Sequence, residues 1–239
     1  MCIECDELKV PGIVWATGEL TNDLYAICTC PSGHKSLSGL MHHVPDVLFK
    51  SAVRAFRNEC YSESILSFTV AFERTCELFF KAFCLKQGAN IDLVEQMWKE
   101  LENQSERQYG SFCIAYCITA GNAWKANANQ VKFRNQVVHK GYIATKPEAT
   151  TYASYITANI DLLITLLHKE FEKESQEIYF DSKRKNRTKL QKIIDETPNL
   201  KFSANSFPSL LGWHHGDRQS VSFADVLQTA SELELKFGF

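Results

Sequence analysis

The chain has 239 residues and a formal net charge of −2, so it is long enough for a main domain with a small module attached to it. Hydrophobic residues make up 45% and charged residues 23%, a balance that excludes an intrinsically disordered chain. The slightly negative charge also excludes a protein that is basic throughout, so any contact with nucleic acid has to be local.

Membrane spans and export signals are not expected. No segment reaches the uninterrupted apolar length that a membrane span needs, and the first residues, MCIECDELKV, include acids and no apolar run. Nine cysteines, an odd number, fit thiols and metal ligands in a reducing compartment better than a disulfide framework. We therefore expect a cytoplasmic protein without a membrane partner.

The first part of the chain, residues 1–42, predicts a compact β-type module. It holds four of the cysteines and has little helical periodicity. The stretches PGIVWAT and DLYAICTC within it look like short strands joined by a polar turn.

From about residue 46 the apolar residues recur with helical spacing. The strongest helix is expected from about Ser62 to Gln87, where one apolar face repeats at steps of three and four. Shorter helices are expected at 91–101, 112–120 and 123–140. A long helix then opens at a capping box made by Thr145 and Glu148. This succession predicts a mainly α protein in which residues 43–175 form an antiparallel helical bundle.

The remaining residues, 176–239, have a weaker signal and are predicted to be an appendage that is partly helical and basic. Its stretch SKRKNRTKLQK concentrates six lysines and arginines, a pattern typical of a solvated helix face or a linker. FADVLQTASELELKF predicts a last short amphipathic helix. The role of this appendage stays open.

The stretch KFRNQVVHKGY, residues 132–142, carries the strongest functional signal. Its Arg134-Asn135-x3-His139 pattern, near the expected end of a helix, resembles the signature of the HEPN ribonuclease superfamily. The resemblance extends over about 48–172, and it includes Glu73 in the middle of the long upstream helix. It implies a HEPN-like bundle with Arg134, Asn135 and His139 in an RNA-cleaving site.

The same residues can be related to chemistry without the resemblance. RNA is cut without a metal when its own 2′-OH attacks the neighbouring phosphate, which requires a proton shuttle and a cation beside the developing negative charge. His139 and Arg134 are residue types that supply these. Asn135 lies four residues before His139, where its amide can orient the imidazole or bind phosphate. The alternative is a surface arginine and a histidine favoured by the helix dipole.

Glu73 has two interpretations. It is either paired at the surface, or it faces the same cleft as Arg134 and His139, where a carboxylate could hold the arginine or tune the histidine.

The function that the resemblance implies is that of a metal-independent endoribonuclease cleaving single-stranded RNA through 2′-OH attack. Such a protein would be an effector in defence, including antiviral defence, in stress or in toxin biology, with an antitoxin or regulatory protein as a possible partner. The alternative is a non-catalytic HEPN-type scaffold that binds a protein or an RNA, since some HEPN domains serve only for binding.

A homodimer is also expected. At about 100° per residue, Arg134 and His139 lie about 140° apart around their helix, so an undistorted helix would not point both at one phosphate. Two chains related by a two-fold axis could combine the arginine of one with the histidine of the other. HEPN proteins that resemble this chain generally work in this way.

A second constellation has the spacing of a metal site. Cys2-x-x-Cys5 is a knuckle that presents two sulfurs to one ion, and Cys28-x-Cys30-Pro-Ser-Gly-His34 supplies further candidates. The CPSGH sequence resembles part of small zinc ribbons. We predict a structural zinc bound by four residues that leave no open position for catalysis: Cys2, Cys5, Cys30 and His34.

Other cysteine and histidine residues are weaker candidates for this metal. Cys28 competes with Cys30 for one place, because side chains two residues apart on an extended strand point to opposite sides. The pairs His42-His43 and His214-His215 are not expected to bind metal, since adjacent histidines diverge on any regular element.

Overall fold

The structure is a computed structural model that describes residues 2–197, 200–205, 208–213 and 220–237. This part of the chain is mainly helical, as predicted, with eight helices and one three-stranded sheet. None of its helices is both long and apolar enough to cross a membrane. In chain order the elements are α1 (Ile3–Glu7), β1 (Tyr25–Thr29), β2 (Lys35–Leu40), α2 (Val44–Arg57), α3 (Tyr61–Lys86), α4 (Ile91–Leu101), α5 (Ser105–Ala120), α6 (Ala128–Lys140), α7 (Lys146–Glu196), β3 (Lys201–Asn205) and α8 (Phe223–Phe237).

The chain forms two compact units, and each is built from two separate stretches of sequence. The smaller unit combines Met1–His43 with Tyr179–Pro208, and the larger one combines Val44–Ile178 with Ser209–Phe239. The region predicted as one appendage, 176–239, is therefore divided between the two units.

The smaller unit contains the sheet. Strand β2 pairs with β1 in antiparallel register and with β3 in parallel register. The expected strand DLYAICTC corresponds to β1. The other expected strand, PGIVWAT, does not form a regular strand, and its one β-type pairing is an isolated bridge between Thr17 and Thr29. Its side chains alternate as in a strand, with Val14 packed inward and Trp15 exposed, but its backbone lacks a continuous neighbouring strand.

The basic stretch forms the distal part of α7 and also belongs to the smaller unit. Lys183 donates to the backbone oxygens of Leu40 and His42, at 2.6 and 3.3 Å. Lys189 forms an ion pair with Asp23 at 2.8 Å. Part of the basic stretch therefore holds the N-terminal module against the helix, while Arg184 and Arg187 are exposed.

The larger unit is built around α3, which has contacts with α2, α4, α5 and α6. Its residues Phe68 and Phe79 are fully buried, and Phe68 meets Phe49 of α2 edge to face at 5.2 Å between ring centroids. The predicted helix from Ser62 to Gln87 agrees closely with α3, because its apolar repeat matches the buried face.

Helix α7 opens as predicted but is longer than expected. The side chain of Glu148 accepts hydrogen bonds from the backbone N–H and the hydroxyl of Thr145, at 2.9 and 2.7 Å, which is the half of the predicted capping box in which the glutamate bonds back to the N-cap residue. The helix is kinked at Phe171, with φ −137° and ψ 29°, and continues to Glu196. Phe171 is buried against Phe79 at the kink.

The end of the chain belongs to the larger unit. Phe223 at the start of α8 is buried and meets Phe56 edge to face at 5.1 Å. The buried carboxylate of Asp161 in α7 accepts hydrogen bonds from the Ser220 hydroxyl and the Val221 backbone N–H, at 2.7 and 3.2 Å. These contacts attach the segment before α8 to the helical core.

Candidate functional site

Helix α6 carries the Arg-Asn-x3-His pattern, and its two ends are well defined. The Asn127 side chain caps the helix by accepting from the backbone N–H groups of Asn129 and Gln130, at 3.0 and 3.3 Å. This cap explains why the helix begins at Ala128 and not near residue 123. Gly141, with a left-handed φ of 67°, ends the helix two residues after His139.

The structure brings together the four residues predicted for the active site. The Nη2 atom of Arg134 forms an ion pair with Oε1 of Glu73 on α3, at 3.0 Å. The Nη1 atom donates to Oδ1 of Asn135 at 3.0 Å, and it lies 3.5 Å from Nε2 of His139. Of the two interpretations of Glu73, the structure therefore shows a carboxylate that holds the arginine beside the histidine.

The proximity of Arg134 and His139 corrects one argument made from the sequence. Their positions around α6 indicated that one chain could not direct both side chains to the same place. That inference is wrong, because the arginine side chain is long enough to reach the imidazole from its position on the helix. The homodimer itself stays a prediction.

These four residues are accessible to a ligand. The side chains of Arg134 and Glu73 are 26% and 38% exposed, and His139 is exposed. An ion pair at such a position contributes little to stability because water screens it, so its main effect is to orient the guanidinium. The exposed imidazole and the oriented guanidinium together can bind an anion and exchange a proton with it.

A cavity of about 510 Å³ opens beside the four residues, which line part of it. Side chains from α3, α4, α5, α6 and α7 form its walls, together with Trp124 from the loop before α6. Tyr152 of α7 shares a hydrogen bond with Thr69 of α3, at 2.8 Å between their oxygens. Burial raises the pKa of Tyr152 to about 12, so this hydroxyl stays protonated and neutral at physiological pH.

The other residues of this cavity were not expected to contribute to a site. Trp124 lies outside α6, and Gln130 is in its first turn. The sequence alone offered no signal for them, since a tryptophan before a helix and a glutamine within one are ordinary in any helical protein.

The second site lies in the smaller unit, where Cys2, Cys5, Cys30 and His34 form a cluster. Their ligand atoms all lie within 4.8 Å of one another, and the three cysteines are buried. The Sγ atoms of Cys5 and Cys30 are 3.8 Å apart, and Nδ1 of His34 lies 3.2 Å from Cys5 and 3.6 Å from Cys30. Such a cluster could hold a metal ion. It is the one candidate metal cluster among the described residues, and it does not include Cys28.

Local backbone structure positions these four residues. Cys2 is the N-cap residue directly before the short helix α1, and Cys5 lies in the middle of that helix. Cys30 and His34 flank a turn in which the Cys30 N–H donates to His34 O at 3.0 Å, and Gly33 adopts a left-handed φ of 81°. A side chain with a Cβ would be strained there.

The surroundings of the cluster shift the pKa values of Cys5 and Cys30 in opposite directions. Burial, with smaller effects from Cys2 and Cys30, raises the pKa of Cys5 to about 11. Burial also opposes ionisation of Cys30, but hydrogen bonds from the backbone N–H groups of His34 and Ser32 bring the pKa of Cys30 down to about 7.

Glu4 is a residue of this site that the sequence analysis missed. Its Oε1 lies 3.8 Å from Nε2 of His34, on the side of the ring away from the sulfurs. At 3.8 Å this is a charge contact and not a hydrogen bond, and it places Glu4 where a carboxylate could orient the imidazole if His34 bound a metal ion. Helix α1 was not predicted, so Glu4 had no expected position.

The cluster of Cys2, Cys5, Cys30 and His34 includes neither histidine of the one adjacent pair that the structure describes. His42 and His43 form this pair, and His214 and His215 lie outside the described residues.

Comparison with protein-family models, with curated proteins and with solved structures gives no significant match to this chain.

Proposed function

We propose that this chain is a metal-independent endoribonuclease of the HEPN superfamily that cleaves single-stranded RNA. The observation that carries the proposal is the placement of Arg134 between Glu73 and His139 at a cavity. The sequence pattern Arg134-Asn135-x3-His139 supports the choice of RNA through its resemblance to that superfamily.

The proposed reaction needs only RNA and side chains of this site. The ribose 2′-oxygen loses its proton and forms a bond to phosphorus, the bond from phosphorus to the 5′-oxygen breaks, and the 5′-oxygen takes up a proton. The products are a 2′,3′-cyclic phosphate and a 5′-hydroxyl end. His139 moves the proton at the reacting oxygens, and Arg134 stabilises the negative charge that develops on the phosphate oxygens.

Asn135 and Glu73 have supporting roles in this mechanism. Both accept a hydrogen bond from the guanidinium of Arg134, at 3.0 Å in each case, so two of its N–H groups are fixed in direction. A guanidinium held in this way loses less conformational freedom when it binds a phosphate than a mobile one does.

The biological setting that we propose is an RNA-degrading effector in defence, stress or toxin biology, acting in the cytoplasm. An antitoxin or regulatory protein would restrain it. We also propose a homodimer, because Leu66 and Val70, 41% and 39% exposed, lie on the same face of α3 as Glu73. An apolar strip next to a catalytic site fits a subunit interface.

The test is incubation of the purified protein with single-stranded RNA in the presence of EDTA. We expect cleavage, with a 2′,3′-cyclic phosphate or its opened form on the 5′ fragment and no cleavage of DNA, which lacks the attacking hydroxyl. His139→Ala should abolish cleavage, whereas His43→Ala, outside the cavity, should not. Strict dependence on magnesium would refute the mechanism, and intact RNA under all conditions would favour the non-catalytic scaffold.

For the smaller unit we propose one structural zinc ion bound by Cys2, Cys5, Cys30 and His34. A tetrahedral zinc with bonds of about 2.3 Å to sulfur and about 2.05 Å to nitrogen separates two sulfurs by about 3.8 Å, and a sulfur from a nitrogen by about 3.6 Å. The separations of Cys5 from Cys30, 3.8 Å, and of Cys30 from His34, 3.6 Å, agree with these values, while His34 lies closer to Cys5, at 3.2 Å, and farther from Cys2, at 3.8 Å. Four protein ligands leave no position for a substrate, so this zinc would stabilise the module.

A further inference from the structure

The cavity beside Arg134 and His139 extends well beyond the space that a phosphate needs. Its volume of about 510 Å³ lies in the range of about 300–1,000 Å³ that is typical of pockets for small organic molecules. The mechanism proposed above uses only the residues at one side of this cavity.

Much of this remaining wall is aromatic. Phe72, Trp98, Tyr109, Trp124 and Tyr155 line the cavity. Trp124 is held in place by Phe72, which stacks on it at 5.9 Å and 26°, and by Tyr116, which meets it edge to face at 4.9 Å. Flat heterocycles pack favourably on such rings, and nucleobases do so in single-stranded RNA complexes.

Two side-chain atoms of this wall are buried without a hydrogen-bond partner among the described residues, Nε1 of Trp124 and Oε1 of Gln130. Every base offers an acceptor to the indole N–H, so the atom that can distinguish between bases belongs to Gln130. The cap formed by Asn127 fixes the backbone at this position. A buried acceptor without a partner is unfavourable, so a ligand that donates a hydrogen bond to it gains affinity over one that does not.

The distribution of charge determines where the phosphate lies. Among the described residues that line the cavity, Arg134 is the one lysine or arginine. The carboxylates of Glu73, Glu77 and Glu106 also line it. A phosphate is therefore attracted to Arg134 and His139 and disfavoured elsewhere, while the neutral aromatic wall is left for the uncharged base.

We propose that this cavity binds a nucleobase that flanks the scissile phosphate and that it favours bases with an exocyclic amino group. Adenine, cytosine and guanine carry this donor, whereas uracil and thymine present carbonyl oxygens in its place. The amino group would donate to Oε1 of Gln130, and the ring would pack on the aromatic wall. This inference rests on the proposed ribonuclease function, which it extends to base selectivity.

The experiment uses DNA oligonucleotides that contain a single ribonucleotide, so that one bond alone can be cleaved. One series varies the ribonucleotide among A, C, G and U, and a second keeps uridine and varies the next base among A, C, G and T. In one of the two series, we expect the substrate whose varied base lacks an amino group to have a kcat/KM at least about tenfold below that of the best substrate. Equal rates in both series would overturn the proposal, as would a preference for uracil or thymine.

Variants of Gln130 connect the selectivity to the cavity. In Gln130→Leu the four rates should converge to within about threefold, since the acceptor is lost while size and helix preference are kept. Gln130→Met should behave in the same way and serves if the leucine variant does not fold. Gln96→Leu, on the exposed side of α4, is the matched control and should keep the selectivity of the unchanged protein. Selectivity that survives both Gln130 variants would overturn the proposal.

A binding measurement separates failure of this inference from failure of the ribonuclease proposal. Equilibrium dialysis with the 5′-monophosphates of deoxyadenosine, deoxycytidine, deoxyguanosine and thymidine needs no cleavage. One possible result is that RNA is not cleaved, but one of the first three nucleotides binds about tenfold more tightly than the thymidine nucleotide, and Gln130→Leu removes this difference. The cavity would then bind nucleobases as proposed, although the protein would not be a ribonuclease. If none of the four binds, the cavity assignment is overturned.

Discussion

Arg134 places its Nη1 atom 3.5 Å from Nε2 of His139, although the two residues are five positions apart in α6. The guanidinium reaches the imidazole while its other nitrogen pairs with Glu73 at 3.0 Å. One chain therefore holds both groups that the proposed reaction requires, so the site should not need a residue from a second chain.

Mixing inactive Arg134→Ala chains with inactive His139→Ala chains should restore no activity. Each mutant chain lacks one of the two groups, and a site built within one chain cannot borrow the missing group from another. The measurement is RNA cleavage by chains unfolded and refolded together. Recovered activity would show that two chains share a site, and sedimentation of the unchanged protein would then have to show a dimer.

Glu73→Gln should lower kcat/KM for RNA by roughly 10- to 100-fold, because the guanidinium of Arg134 would lose its charged anchor and its fixed direction. Glu73 acts through Arg134, so the double variant with Arg134→Ala should be no slower than Arg134→Ala alone. Steady-state cleavage by the three variants tests this.

The matched control for Glu73→Gln is Glu63→Gln, which removes an exposed carboxylate from the first turn of the same helix. Its activity should stay within about twofold of the unchanged protein, because surface substitutions have small effects. If the double variant is slower than Arg134→Ala by the full effect of Glu73→Gln, Glu73 acts independently of the arginine.

One zinc ion per chain should be found by elemental analysis of protein purified without chelators. Cys28→Ser should keep it, because the structure leaves Cys28 outside the cluster, whereas Cys30→Ser should lose it. The serine variants change one atom each and form a matched pair. Protein without zinc would disprove the metal assignment, and metal loss in Cys28→Ser alone would exchange the roles of the two cysteines.

The capping box at the start of α7 should make stability depend on pH. Hydrogen bonds from Thr145, with a smaller one from Tyr142, lower the pKa of Glu148. A lowered pKa in the folded state stabilises the protein above the unfolded pKa of about 4.3, and this stabilisation is lost as the pH falls through the folded pKa. Glu148→Gln should therefore lower the urea unfolding midpoint at pH 7 more than at pH 3.

Glu172→Gln is the control for this measurement, since it removes a carboxylate from the middle of the same helix and not from its first turn. The difference in urea unfolding midpoint between Glu172→Gln and the unchanged protein should vary less between the two pH values. An equal effect of Glu148→Gln at pH 7 and pH 3 would mean that the charge of Glu148 does not contribute to the cap.

The sequence by itself determined the parts of this protein that depend on neighbouring residues. Helix hydrogen bonds join residues four apart, so the repeat from Ser62 to Gln87 was sufficient to predict α3 within a residue at each end. The capping box of Thr145 and Glu148 is a local motif in the same way. The candidate ligand pairs Cys2-x-x-Cys5 and Cys30-x3-His34 were recognisable because the ligands of metal sites in small modules typically lie close together along the chain.

Only the tertiary structure decided which distant segments meet. Strand β3 pairs with β2 through partners such as Leu37 and Phe202, and no local pattern identifies partners so far apart in the chain. The ion pair of Glu73 with Arg134 depends on the packing of α3 against α6. The cavity depends on five helices and a loop together. Its shape follows from how their side chains fill the space between them, which periodicity along one helix does not describe.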